Sequence, residues 1–143
     1  MYVSPDRALI ANVIPSGKEK GNEKAESTVR VQSAEGKQSF TYDFSSDDGE
    51  HGYGVNSAQW TADSNFFVLT MSSSGGHSPM FAPVVFWSKT DNTFYSLPQY
   101  TASYVFELRG DSIRLSTWPG MQPATVALRD LKPDEAVPVK PQK

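Results

Sequence analysis

VSPDRALIAN, residues 3–12, recurs in outline 57 residues further along the chain as WTADSNFFVL, residues 60–69. Both copies place a small hydroxyl residue two positions before an aspartate, Asp6 in the first and Asp63 in the second, and an apolar run follows. Aspartate and serine side chains bond to nearby backbone groups, and proline presets φ for a turn. Each copy therefore predicts a tight turn that leads into a buried strand, and the recurrence indicates stacked β units of one architecture.

The composition supports a single all-β domain. Aromatic residues form 12% of the 143 residues and favour the pleated surface of a sheet, whereas ten glycines and ten prolines argue against long helices. With 38% hydrophobic residues, a chain of this length can build a core without disulfides or a metal. We expect one domain over residues 1–131, made of two blade-like units at about 3–59 and 60–131. Residues 132–143, with three prolines and alternating charges, are predicted to be a disordered tail.

Charge and residue counts exclude several classes of partner and chemistry. The net charge of −3 and the pI near 5.3 offer no clustered basic surface for nucleic acid. No apolar run approaches the roughly 18 residues needed to span a bilayer, so we predict no membrane span. The lack of cysteine excludes disulfides, Cys-ligated zinc and a cysteine nucleophile. Phosphate-binding glycine-rich loops and dinucleotide fingerprints are absent too, and the sequence predicts no cofactor.

Alternating and apolar runs predict the positions of the strands. The apolar run of residues 66–69, inside a predicted strand over residues 65–71, predicts an innermost strand that is buried on both faces. Arg109-Gly110-Asp111 is interpreted as a hairpin turn and not as an integrin-binding tripeptide, since Gly followed by Asp lies between two alternating runs. The predicted strands cover residues 9–14, 28–32, 39–44, 65–71, 83–87, 93–97, 104–108, 112–116 and 125–128. Residues 45–59 and 72–82 are predicted to be long loops.

Two segments carry a resemblance to a known family. Residues 4–6 (Ser-Pro-Asp) and 60–64 (Trp-Thr-Ala-Asp-Ser) resemble the W-S-P-D-G lead-in to a strand in WD40-like and TolB-like β-propeller blades. The similarity covers about residues 3–97, although Arg7 and Ser64 replace the glycine and the second copy lacks the proline. It implies a binding platform with no particular ligand. Because a complete propeller usually has at least four blades, the chain would be a propeller-like fragment, a pair of blade-like antiparallel sheets or an unrelated β-sandwich.

The most reactive-looking stretch runs from residue 71 to residue 80 and holds His77, one of two histidines, among serines and glycines. His77 and Ser78 resemble the start of a G-x-S-x-G nucleophile elbow, but Met80 stands at its last position and the chain offers no strand-turn-helix setting. A catalytic triad is usually built from residues remote in sequence, so we predict no catalytic residue here. Besides an exposed flexible loop, the interpretation is a contact loop that presents hydrogen-bonding groups to a partner's cleft. Its predicted contact residues are Ser72, Ser73, Ser74, His77 and Ser78.

The other long loop is crowded with acidic residues. Carboxylate oxygens suit hard cations, but the spacing fails that of a calcium-binding EF-hand, because Phe44 and Val55 would occupy its first and twelfth positions. We therefore predict a solvated acidic loop and no metal site, with calcium binding as the alternative. Asp48, His51 and Tyr53 are predicted to contact the partner.

Without a catalytic constellation, the sequence favours a non-enzymatic protein-binding module that presents residues 45–59 and 72–82 on a β-sheet scaffold. In general layout the chain is similar to small periplasmic immunity proteins, which neutralise toxic enzymes delivered by bacterial secretion systems. This likeness implies a secreted toxin enzyme as the partner, inhibited by the Ser/Gly/His loop (residues 72–82). It also implies a periplasmic or other extracytoplasmic location. Residues 1–3 lead straight into the first turn motif, so we expect that a signal segment has been removed ahead of Met1. A cytoplasmic location is the alternative.

Two other hypotheses stay open at this point. One is a small hydrolase that uses Ser78 or acidic-loop carboxylates such as Asp48. The other is a ligand-binding propeller fragment, which would self-associate to cover its open sheet edges. The sequence decides neither the oligomeric state nor the identity of the partner.

Overall fold

The computed structural model describes residues 1–15, 26–45, 52–73, 83–101, 106–115, 124–131 and 137–138. These residues are mostly β-strands, which confirms the all-β prediction. None of the helical structure in these ranges is long and apolar enough to cross a membrane. A single-turn 3-10 helix covers Leu128–Asp130. The strands are β1 (Tyr2–Val3), β2 (Leu9–Pro15), β3 (Ser27–Ser33), β4 (Ser39–Asp43), β5 (Tyr53–Trp60), β6 (Phe66–Ser73), β7 (Pro83–Ser88), β8 (Thr93–Thr101), β9 (Phe106–Arg109), β10 (Ser112–Leu115), β11 (Ala124–Ala127) and β12 (Val137–Pro138).

The strands form three antiparallel sheets. Sheet A has the order β1-β2-β3-β4, sheet B the order β12-β8-β7-β6-β5 and sheet C the order β11-β10-β9. Sheets A and B each contain four consecutive strands that pair in chain order, and in each a turn motif joins the first strand to the second. The second predicted unit differs in one respect, because β9, β10 and β11 form a sheet of their own instead of extending sheet B.

The sheets pack as layers, with sheet B in the middle. Apolar side chains of sheets A and B enclose the first core, and those of sheets B and C enclose the second. The buried residues of the first core are Ala11, Val29, Val31, Phe44, Val55, Trp60, Phe67, Leu69, Met71, Val85, Trp87 and Phe94. Those of the second core are Phe66, Val68, Val84, Phe86, Leu97, Ile113, Val126 and Leu128.

Strand β6 is buried on both faces, as its unbroken apolar run predicts. Successive side chains of a strand point to opposite faces. Phe67 and Leu69 therefore belong to the first core, whereas Phe66 and Val68 belong to the second. The strand lies inside sheet B between β5 and β7, and residues 66–71 are buried from solvent.

Strand β5 occupies residues that we predicted to be the end of a long loop, and that prediction is wrong from Tyr53 onward. The strand has few apolar residues, but Val55 and Trp60 are buried in the first core. Its pairing with β6 shifts at a bulge between Val55 and Ser57. A bulge interrupts the alternation by which a strand is recognised from sequence. The two-residue β1 was not predicted either.

Part of the predicted disordered tail pairs with sheet B. Strand β12 is antiparallel to β8, with Val137 opposite Ser96 and Pro138 opposite Tyr95. These two residues are thus part of a sheet, and the remainder of residues 132–143 lies outside the described residues. A proline is compatible with this position because β12 is an edge strand.

The first turn motif closes through its own side chains. The Ser4 hydroxyl donates to Asp6 Oδ1 (2.7 Å) and accepts from the Leu9 N–H (3.0 Å). Asp6 Oδ1 also accepts from the Ala8 N–H (2.9 Å). Two backbone bonds, Ser4 N–H to Leu9 O and Arg7 N–H to Ser4 O, complete the turn.

The second turn motif repeats this structure bond for bond. The Thr61 hydroxyl donates to Asp63 Oδ1 (2.6 Å) and accepts from the Phe66 N–H (3.1 Å), and Asp63 Oδ1 accepts from the Asn65 N–H (3.0 Å). Thr61 N–H donates to Phe66 O and Ser64 N–H to Thr61 O. The sequence prediction of a tight turn is confirmed in both copies.

Both turns need a left-handed residue at the position where the blade motif has glycine. Arg7 has φ of 62° and Ser64 has φ of 64°. Ser64 compensates through its side chain, because its Oγ accepts a hydrogen bond from the Asp6 N–H at 3.0 Å. This bond joins the two turns directly and therefore links sheet A to sheet B.

Replacing Arg7 with glycine should raise the free energy of unfolding by about 0.5–1 kcal/mol, because relief of the positive φ exceeds the extra unfolded-state entropy of glycine. Ser64→Gly is the matched change in the second turn. This variant should raise the free energy of unfolding by less, since it also removes the acceptor of the Asp6 N–H. Urea unfolding of both variants measures the difference, and an equal gain would show that the Ser64 hydrogen bond contributes nothing.

The described turns gather at one end of the layers, the turn end. Residues 4–8 and 61–65 touch there through the bond from Asp6 to Ser64. The hairpin turn at Gly110, which has φ of 61° as predicted for a glycine turn, lies at the same end, because Arg129 bridges the two sheets by binding both Asp111 and Asp63. The opposite end, the far end, is where β5 begins and β6 finishes.

Candidate functional site

Only three of the sequence-predicted contact residues belong to the described part of the chain. Ser72 and Ser73 close β6, and Tyr53 opens β5. Tyr53 is half-buried and packs against the first core, a structural role that its sequence position did not indicate. The other predicted contact residues lie outside the described residues: Asp48, His51, Ser74, His77 and Ser78.

At the far end, the described strands bring the attachment points of the two predicted loops together. Tyr53 lies opposite Ser73 in the β5–β6 pair, and the Tyr53 N–H donates to Phe44 O at 2.9 Å. Residues 46–51 lead into β5, and residues 74–82 follow β6. The chain therefore enters sheet B at Tyr53, after the first segment, and leaves it at Ser73, before the second, and these two positions lie directly opposite each other.

Asp43, which ends β4 just before the acidic loop, is engaged by hydrogen bonds. Its Oδ1 accepts from the Thr28 hydroxyl (3.1 Å) and from the Ser45 N–H (2.9 Å). Across the described ranges, no group of three His, Asp or Glu side chains lies close enough together to hold a metal ion. The hydrogen bond from Thr28 ties the end of β4 to the neighbouring strand β3, so Asp43 has a structural role here.

At the turn end, each motif aspartate binds a cation from the next sheet with its second oxygen. Asp6 Oδ2 lies 3.4 Å from Lys89 Nζ of the β7–β8 turn. Asp63 Oδ2 lies 2.6 Å from Arg129 Nη2, beyond β11, and Arg129 Nε lies 2.9 Å from Asp111 Oδ2. The repeated motif thus links sheet A to sheet B and sheet B to sheet C in the same manner.

Both motif carboxylates are held in the charged form. The hydrogen bonds from the turn, with the charge of Lys89, lower the pKa of Asp6 to about 2. Burial raises the pKa of Asp63, but the hydrogen bonds from Thr61, from the turn backbone and from Arg129 outweigh it and hold this pKa at about 2. A general acid or base works best with a pKa near the operating pH. These two carboxylates are accordingly structural groups.

Sheet C carries a group of polar residues that the sequence reasoning did not single out. A cleft of about 280 Å³ is lined by Arg109, Ser112, Arg114 and Thr125. The sequence feature that points to this outward face is the alternation of polar and aliphatic residues at positions 112–115. The pairing partners across the sheet depend on register, which the alternation alone does not provide.

Comparison with protein-family models, with curated proteins and with solved structures gave no match. The resemblances to propeller blades and to immunity proteins therefore stay predictions. The candidate surfaces are defined by geometry alone: the far end of sheet B and the outer face of sheet C.

Proposed function

We propose that this protein is a non-enzymatic protein-binding module that contacts its partner at the far end of sheet B. The observation that carries the proposal is the register in which Tyr53 faces Ser73. This register places Tyr53, which follows residues 46–51, beside Ser73, which precedes residues 74–82. The predicted contact residues of both segments therefore have neighbouring anchors on one sheet. Sheet proteins commonly place their binding residues on segments that such a scaffold supports.

Buried side chains fix the described anchors of the two segments, which supports the proposal. Strand β6, which precedes the Ser/Gly/His loop, is buried on both faces, and β5 is fixed by the buried side chains of Val55 and Trp60. Rigid anchors lower the entropy lost when a contact surface is ordered on binding. In the more specific form of the proposal, the partner is a secreted toxin enzyme in the periplasm and the Ser/Gly/His loop obstructs its active site.

The double replacement of His77 and Ser78 by alanine should weaken the complex by more than about 1 kcal/mol if these residues are hot spots. A matched control is Lys37→Ala, an exposed change at the turn end, which should bind like the wild-type protein. The partner is first captured from native lysate with the tagged wild-type chain, and its affinity for the three proteins is then measured by titration.

Equal affinity of the double variant and the control would contradict the proposed binding surface. If the captured partner is an enzyme, its turnover should fall to near zero at one equivalent of the wild-type chain and recover with the double variant. Undiminished turnover in the saturated complex would contradict the proposal that the protein is an inhibitor. The affinities test the binding surface separately.

A further inference from the structure

The outer face of sheet C, which points away from sheet B, concentrates hydrogen-bond donors. In the β9–β10 pair Arg109 lies opposite Ser112, and in the β10–β11 pair Thr125 lies opposite Arg114. Directly opposed residues of antiparallel strands share a face. Because the intervening Ile113 is buried in the second core, these four side chains project outward around the 280 Å³ cleft.

The two arginines of this face differ in their electrostatic surroundings. Arg109 Nε lies 3.0 Å from Glu107 Oε1, in a pair whose side chains are 74% and 53% exposed. Arg114 is exposed, lies opposite Glu107 and forms no ion pair with any residue of the described ranges. Exposed ion pairs contribute little and are readily exchanged for another anion. The face therefore carries one net positive charge in a protein whose overall charge is −3.

We propose that this cleft is a binding site for a small oxyanion, a phosphate or a carboxylate. A guanidinium group offers planar, paired N–H donors that match either oxyanion, and the hydroxyls of Ser112 and Thr125 can donate to its remaining oxygens. The cleft volume of about 280 Å³ exceeds that of a phosphate or a carboxylate group, so either can enter it. This site is independent of the far-end contact surface proposed above.

The sheet beneath the cleft holds these donors in place. Ile113 and Val126, the immediate neighbours of the lining residues on β10 and β11, are buried against sheet B. A site built on paired strands keeps its geometry better than one built on a loop. The anion would therefore bind to a surface that is already formed.

The experiment is a titration of the ¹⁵N-labelled protein with sodium phosphate in one arm and sodium succinate in the other, followed by NMR. At low ionic strength we expect saturable shifts at the amides of Ser112, Arg114 and Thr125. Arg114→Gln should weaken the binding by about tenfold, as loss of a charge-assisted contact requires. Glu107→Gln should tighten it, because it frees Arg109 and removes a competing carboxylate. The anion that saturates the shifts at the lower concentration is the preferred oxyanion.

Arg30→Gln is the matched control, since Arg30 is an exposed arginine on β3 of sheet A, outside the cleft. It should bind both anions like the wild-type protein. Equal weakening by Arg30→Gln and Arg114→Gln would overturn the proposal, because it would show nonspecific screening by surface charge. Shifts that stay linear up to about 50 mM of both anions, far weaker than a millimolar site, would overturn it as well.

Discussion

Replacing Phe67 with alanine should lower the free energy of unfolding by about 3–5 kcal/mol, the range for truncation of a buried phenylalanine. Phe67 is fully buried, and its ring lies 5.5 Å from that of Tyr2 and 5.0 Å from that of Trp60, centroid to centroid. It also lies opposite Trp87 in the β6–β7 pair. The void would open between sheets A and B, where hydrogen-bonded strands on both sides limit collapse into it.

Urea unfolding monitored by tryptophan fluorescence measures this loss. Val3→Ala is a suitable control, because Val3 is 47% exposed and its truncation should change stability by less than about 0.5 kcal/mol. A loss below about 1 kcal/mol for Phe67→Ala would mean that sheets A and B do not pack around this ring.

Replacing Asp63 with alanine should cost about 2–3 kcal/mol, the second-largest effect we expect. The carboxylate accepts hydrogen bonds from the Thr61 hydroxyl, the Asn65 N–H and Arg129. Thr61 is fully buried, so water does not replace the lost acceptor, and the other acceptor of its hydroxyl, Phe66 O, lies further away at 3.3 Å. Asp6→Ala should cost less, because the side chain of Asp6 is 41% exposed and its cation lies further away, at 3.4 Å.

The same carboxylates predict the response of stability to acid. The folded-state pKa of Asp63 and that of Asp6 are about 2, below the ordinary value of 3.8. Stability from the charged forms is therefore complete above about pH 4 and is lost as the pH falls from there toward 2. Urea unfolding between pH 2 and pH 5 should show a steeper acid loss for the wild-type protein than for Asp63→Asn. If the stability of the two proteins falls in parallel with pH, Asp63 has the same pKa in the folded and the unfolded chain.

The predictable part of the fold is the part in which local chemistry acts alone. The turn at residues 4–8 follows from the side chains of Ser4 and Asp6, which form three hydrogen bonds within the segment itself. The double burial of β6 follows in the same way from its unbroken apolar run. Strand β5 was missed because its bulge and its pairing partner, not its own composition, make it a strand.

The candidate surfaces were predictable to a smaller extent. Residues 72–82 stand out by composition, but only the register of Tyr53 against Ser73 places their anchor beside that of the acidic segment. The cleft on sheet C needs Arg109 and Arg114 from two strands on one face, and that depends on a hairpin register that composition does not reveal. Both proposed surfaces therefore depend on the pairing between strands.

The middle position of sheet B also governs how the molecule comes apart. Either outer sheet can detach and leave the other core closed, whereas sheet B shares in both cores and cannot open without exposing Phe67 and Phe66 together. Local openings of low free energy should therefore begin in the outer layers, with β6 and β7 keeping their amide hydrogens longest. The segment that precedes the Ser/Gly/His loop would then be the most persistent foldon of the chain.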